Sequence, residues 1–223
     1  SANDGVAERL RAIRLRIEQA GGDPSAIRIV AVTKAFGPEA VVAARAAGLH
    51  DIGENYANEL VGKAAALDVD SPAPLPVRWH FLGAIQRNKV ARLAPIVGLW
   101  QSVARMEEGT RIARFAPGAA VLVEVDTTGR PGRNGCPPDA ARALVPRLRD
   151  AGLDVRGLMT VAAPGPEAAT SAFGTVRSLA DELGLEERSM GMTDDLEAAV
   201  RAGTTMVRIG RALFGERSPK SPA

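Results

Sequence analysis

Lys34 ends a short apolar run, Arg28-Ile29-Val30-Ala31-Val32-Thr33-Lys34, and the turn-like Ala35-Phe36-Gly37-Pro38 follows at once. A lysine so placed can act as an amine nucleophile toward a carbonyl. It must first be held neutral, because water keeps its pKa near ~10.4 and the ammonium does not attack. Taken alone, it reads as an exposed lysine closing a strand. A second set of groups lies near the other end of the chain. Ser189-Met190-Gly191-Met192 and Arg208-Ile209-Gly210-Arg211 place a hydroxyl, two glycines and two guanidiniums at the ends of apolar runs. A phosphate is held by such groups, since glycine lets backbone N–H groups approach an anion closely. Each glycine by itself is a turn.

These groups act together only if the fold brings them together. After a first helix near 4–20, strand-like runs recur near 28–33, 49–53, 78–83, 97–102, 120–126, 154–160, 185–189 and 205–209. Alanine-rich helical stretches lie between them at 38–47, 55–66, 87–93, 138–150, 166–183 and 193–202. That alternation implies parallel strands joined by right-handed crossovers. Eight units predict an α/β fold, a single (β/α)8 TIM-type barrel with an extra N-terminal helix over residues 1–217. An open doubly wound sheet is the runner-up, yet no G-x-G-x-x-G follows the first run. Residues 68–76, rich in proline and aspartate, read as a long surface loop, and 218–223 as a disordered tail. Barrels keep their working residues at the C-terminal ends of strands and often hold phosphate after strands 7 and 8. Lys34, Gly53-Glu54-Asn55-Tyr56, His80, Gln101, Ser189, Gly191, Arg208 and Gly210 are therefore expected to converge.

Composition narrows the classes. A chain of 223 residues, 46% hydrophobic and 24% charged, suits one large domain. Its net charge of +2, with acids and bases interleaved, argues against a nucleic-acid partner. Arg9, Arg11, Arg14 and Arg16 read as the solvated face of an amphipathic first helix. One cysteine, Cys136, and two histidines, His50 and His80, make neither a disulfide nor a Cys/His zinc site. A metal-free, cytoplasmic protein is expected. No run approaches the roughly 20 apolar residues of a membrane span, and no signal-peptide pattern opens the chain.

An amine anchor, a phosphate cradle and a strand-8 arginine together suit a phosphorylated aldehyde held as a Schiff base, with pyridoxal 5′-phosphate (PLP) the candidate. Arg208 is placed to face the pyridine nitrogen. Always charged, it donates a hydrogen bond but does not protonate the ring, which keeps the ring a weak electron sink. The plainer alternative is that Arg208 pairs with a carboxylate on a neighbouring strand.

The ordered motifs Ala31-Val32-Thr33-Lys34, Ile52-Gly53-Glu54-Asn55-Tyr56, Trp79-His80-Phe81-Leu82-Gly83, Gly157-Leu158-Met159-Thr160, Ser189-Met190-Gly191-Met192 and Val207-Arg208-Ile209-Gly210 run nearly end to end. In these the chain resembles the pyridoxal phosphate homeostasis proteins, a family of alanine-racemase-like barrels. The resemblance implies that Lys34 forms the Schiff base, Asn55 flanks the ring and Arg208 faces the pyridine nitrogen. It also implies that Ser189, with the backbone near Gly210 and Arg211, holds the phosphate. Two departures stand out. Arg211 replaces the small hydroxyl residue of many relatives, and Arg133-Asn134-Gly135 stands where many carry Lys-x-Gly, so no second Schiff base forms there.

A two-base racemase would need a group on each face of the cofactor and a second, β domain. The one tyrosine, Tyr56, is expected in the core or the cofactor wall, His80 packed beside the cofactor, and no β domain is expected beyond strand 8. The reading is a cofactor-holding homeostasis protein without robust catalysis: a monomer whose partners are PLP and, as recipients, PLP-dependent apoenzymes. A PLP-dependent amino-acid racemase, a Schiff-base sugar-phosphate enzyme and a pure interaction module are the alternatives.

Overall fold

The computed structural model describes residues 2–69 and 76–216, so the expected tail and most of the 68–76 loop lie outside the described residues. After α1 (Ala2–Gln19), the strands are β1 (Arg28–Val32), β2 (Asp51–Glu54), β3 (Arg78–Phe81), β4 (Val97–Val103), β5 (Ala120–Glu124), β6 (Asp154–Met159), β7 (Glu187–Ser189) and β8 (Met206–Ile209). The helices between them are α2 (Pro38–Ala46), α3 (Ala57–Val69), α4 (Val90–Leu93), α5 (Met106–Phe115), α6 (Pro138–Asp150), α7 (Pro166–Glu182) and α8 (Leu196–Arg201), and α9 (Arg211–Phe214) ends the fold. The strands pair in parallel, in chain order, and β1 closes on β8. This is the (β/α)8 barrel expected.

Alternation along each strand sorts the core into two layers. Ile29, Ala31, Ile52, Trp79, Trp100, Val121, Leu158 and Val207 pack outward against the helices in the large cluster. Val30, Leu99, Leu122, Met159 and Met206 form a separate, smaller cluster inside the barrel. The apolar stripe of α1, Val6, Leu10, Ile13 and Ile17, is buried, as a helix with apolar residues every three to four positions must be.

Sequence reasoning left α5 unassigned because Gly109 and Thr110 interrupt it. The helix is held at its start by Glu108, whose carboxylate accepts the N–H groups of Ala104 and Arg105 at 2.8 and 3.2 Å. Gly109 is there for packing: a Cβ would lie 2.1 Å from Leu148 Cδ2 of α6.

Gly157 of β6 is tighter still, since a Cβ there would lie 1.9 Å from the carbonyl oxygen of Glu187 on β7. Backbone, unlike a side chain, cannot swing aside. Gly157→Ala is expected to cost about 2–3 kcal/mol, as overpacked cores do. In a chain of this size that lowers Tm by about 4–12 °C in a thermal melt.

Candidate functional site

Lys34 sits just past β1 in a tight turn, closed by Phe36 N–H donating to Thr33 O at 3.0 Å. Ala35 within it takes the left-handed conformation, φ 64°, which side chains adopt at a cost. A buried ionic cluster on both sides of Lys34 holds this turn in place. Glu54 Oε1 accepts Thr33 Oγ1 at 2.6 Å and Lys63 Nζ at 2.5 Å, and Lys63 also donates to Thr33 O at 2.7 Å. Glu59 of the same helix accepts Ala35 N–H at 2.9 Å and Lys63 Nζ at 3.3 Å. Burial raises the Glu54 pKa above the usual carboxylate range against the pull of Lys63 and Thr33. Sequence reasoning did not single out Lys63. The Glu59–Lys63 pair, one helical turn apart on α3, was the available signal.

At the C-terminal ends of the strands a cavity of about 760 Å³ opens, lined by Lys34, Asn55, Arg208, Gly210 and Arg211 together with Thr193 and Asp194. That volume suits a small-molecule site. Five of the expected residues thus share one wall. Asn55 Oδ1 is buried there without a hydrogen-bond partner, an atom that a ligand can satisfy. The loop after β6, from Val161 to Pro166, adds apolar residues to the lining.

Arg208 is only 4% exposed. Its Nη1 donates to Ser189 O at 2.9 Å and Ser189 Oγ at 2.7 Å, and its Nη2 donates to Thr160 O at 2.8 Å. Among the described residues no carboxylate touches it, so the pairing alternative does not hold. Burial lowers its pKa to about 10, with Glu124 and Asp195 pulling it upward. It remains a cation at neutral pH, and two of the five N–H groups of a guanidinium are left for a ligand.

Ser189 and Gly191 fall elsewhere than expected. Neither lines the cavity. Ser189 is fully buried, its hydroxyl spent on Gln101 Oε1 at 2.6 Å and on Arg208. Gly191, at φ 104°, accepts Arg208 N–H through its carbonyl at 2.9 Å and lets α8 approach, since a Cβ would meet Ala199 Cβ at 2.5 Å. Both therefore act behind Arg208. The reason is the strand's period of two, which turns Ser189 into the barrel interior.

His80 and Tyr56 also depart from expectation. His80 is inside the barrel, bonded to Asp51 and Gln101, and Tyr56 is 61% exposed, neither core nor cavity wall. Arg133 lies exposed at the rim, donating to Val161 O at 2.7 Å.

Thr193, missed by sequence reasoning, supplies the hydroxyl on the cavity wall near Gly210 and Arg211. The N-terminal helix holds its loop: Arg16 Nη2 donates to Thr193 O at 2.8 Å, and Arg16 Nε to Glu197 Oε1 at 2.7 Å. Arg16 is therefore a structural clamp, whereas the sequence suggested a solvated face. A more open groove on the outer surface, lined by Arg87, Arg111, Arg114 and Arg147, carries none of the strand-end residues.

A TIM-type barrel with a lysine past β1 and an arginine on β8 facing one cavity defines an alanine-racemase-like class of fold. Residues 6–218 match the family described as alanine racemase, N-terminal domain. The chain is 39% identical over 231 residues to the pyridoxal phosphate homeostasis protein of Pseudomonas aeruginosa, with 98% of each chain covered. It is 32% identical to the protein of that name from Homo sapiens, over 97% of this chain and 88% of that one. The structure of PipY from Synechococcus elongatus with PLP bound superposes with a TM-score of 0.81 at 31% identity, covering 94% of this chain and all of that one. The chain belongs to the alanine racemase N-terminal domain family and, within it, to the pyridoxal phosphate homeostasis proteins.

Proposed function

We propose that the chain binds PLP in the strand-end cavity, with Lys34 as covalent anchor, and buffers or hands on the cofactor without robust turnover. The observation that carries this is Arg208, a buried guanidinium on the cavity wall with no carboxylate in contact among the described residues and two N–H groups to spare. The wall fits the group in other ways. Asn55 Oδ1 awaits a partner. Thr193 and the first-turn backbone at Gly210 and Arg211 offer donors to a phosphate, the first turn of a helix having N–H groups without intrahelical partners. PLP supplies an electrophilic aldehyde. Lys34 would supply the amine that meets it.

Arg208 orients the ring by donating to its nitrogen and, with a pKa of about 10, keeps its own proton at neutral pH. Among the described residues the cavity has no histidine, tyrosine or cysteine on its wall. Its acids are engaged, Asp194 with Arg211, Asp195 with Met192 N–H and Glu197 with Arg16. A second base for two-faced proton transfer is therefore missing from the wall, which favours a carrier over a racemase. The same reading expects a cytoplasmic monomer with PLP-dependent apoenzymes as recipients.

The test is to incubate the purified chain with excess PLP, remove unbound PLP by gel filtration, record the visible spectrum, reduce with borohydride and map peptides by mass. A visible band and a pyridoxyl adduct on the Lys34 peptide are expected. A colourless, unmodified protein overturns the reading. Racemisation or transamination at about 1 per second or faster overturns the carrier half of it.

A further inference from the structure

Behind Arg208 the interior of the barrel contains a line of polar side chains, Ser189, Gln101, His80 and Asp51, that the binding reading does not use. Arg208 Nη1 donates to Ser189 Oγ at 2.7 Å, Ser189 Oγ to Gln101 Oε1 at 2.6 Å, and Gln101 Nε2 to His80 Nδ1 at 2.8 Å. His80 Nε2 then donates to Asp51 Oδ1 at 2.8 Å. The line runs from β8 through β7, β4 and β3 to the first residue of β2, so it crosses from the mouth of the barrel to its floor. Ser189, Gln101 and His80 are fully buried, and neither they nor Asp51 line the cavity.

Its direction follows from donor arithmetic. A guanidinium only donates, so Ser189 Oγ must accept from Arg208 and spend its one hydrogen on Gln101. Gln101 must then present its amide oxygen to Ser189 and its nitrogen to His80. That nitrogen also reaches Met206 Sδ at 3.1 Å. His80 Nδ1 must accept, and the ring proton must sit on Nε2, where the Asp51 carboxylate receives it. A fixed cation at one end and a carboxylate at the other leave the three neutral groups a single arrangement.

We propose that Gln101, acting through Ser189 and held in one orientation by neutral His80, is the positioning residue that aims Arg208 at a ring bound in the cavity. This rests on PLP binding as read above. A proton on His80 Nδ1 would oppose the Gln101 amide nitrogen and turn the amide over. Ser189 Oγ would then face two donors, Gln101 and Arg208, while its own hydrogen lost the Gln101 acceptor, so its hold on the guanidinium would weaken although the bonds to Ser189 O and Thr160 O remain. Protonated His80 and a firmly aimed Arg208 thus disfavour each other. Linkage makes the effect reciprocal: PLP must lower the proton affinity of His80 by the factor by which that proton lowers the affinity for PLP.

The charged groups around His80 are Asp51 of β2, which favours its cation, and Arg28 of β1 and Arg78 of β3, which oppose it; the β4 neighbour, Gln101, is neutral. Arg78 in turn is influenced by Arg156 of β6 and Glu187 of β7. Burial is the largest effect and holds His80 below its usual pKa.

The chain has two histidines, and His50 is exposed, so ring nitrogen NMR reads His80 against an internal reference. In the full-length chain His80 should be the Nε2–H tautomer. Added PLP should lower its titration midpoint and leave His50 unmoved. Gln101→Leu and, as the smaller cut, Ser189→Ala should each weaken PLP binding about tenfold, the scale of one hydrogen bond to a charged group, and abolish the PLP-induced shift of His80. Ser189→Thr, which keeps the hydroxyl, should restore both. An Nδ1–H tautomer, a His80 indifferent to PLP in a chain that binds it, or a Ser189→Ala variant that binds PLP as the wild type does would each overturn the relay. A wild type that binds no PLP would overturn the functional reading, while the tautomer of the free protein still tests the direction of the line.

Discussion

Replacing Lys34 with alanine is expected to abolish covalent capture of PLP, with no visible band left after gel filtration and borohydride incorporation at background. Asn55, Arg208 and the Thr193–Gly210 side of the cavity are untouched by this change, so PLP should still bind reversibly and be removable by gel filtration. Among the described residues no other lysine lines the cavity. Lys63, behind the same turn, is 7% exposed in its side chain and committed to Glu54 at 2.5 Å and Thr33 O at 2.7 Å. An amine whose hydrogens are engaged by a buried carboxylate and a backbone carbonyl is not free to reach an aldehyde in the cavity. Equal labelling of wild type and Lys34→Ala, or an adduct moved to the Lys63 peptide, would refute this assignment.

The largest expected effect on stability comes from that second lysine. Lys63→Met leaves Glu54 buried without its cation and deprives Thr33 O of one of its two donors, the other being Phe36 N–H. Breaking a buried ion pair by removing one partner costs about 3–5 kcal/mol, readable as a lower urea midpoint. The loss should depend on pH. Burial already raises the Glu54 pKa in the folded chain, and without Lys63 it should rise further. A carboxyl whose folded pKa exceeds its unfolded value of about 4.3 favours the folded state fully below that value, and the benefit fades as pH rises through the folded pKa. The deficit against wild type should therefore shrink toward acid and widen toward neutrality. A deficit below about 1 kcal/mol at neutral pH, or one independent of pH, would show that the pair contributes little. Because Thr33 and Ala35 flank Lys34, the same variant should also slow PLP incorporation.

Much of this was legible along the chain. The alternation of apolar runs with helical stretches predicted the barrel, and Lys34, Asn55, Arg208, Gly210 and Arg211 were placed at strand ends that share one cavity. Such signals are local: a run, a turn and a helix start lie within about ten residues of one another. Helix α5 escaped because Gly109 weakens its local pattern, and that glycine answers to Leu148, far away in sequence.

What only the tertiary structure decided is which layer each polar strand residue occupies. Ser189 and Arg208 both look like strand-end groups in sequence, yet one is wholly interior and the other reaches the cavity. His80 pointed to the site by motif but belongs to the line that ends at Asp51. The sequence alone determined the order of strands and the types of chemical group they deliver, because propensity and periodicity are properties of neighbouring residues. Burial, partnership and direction depend on how eight strands stagger when the barrel closes, and a shift of one residue there reverses which face every side chain meets.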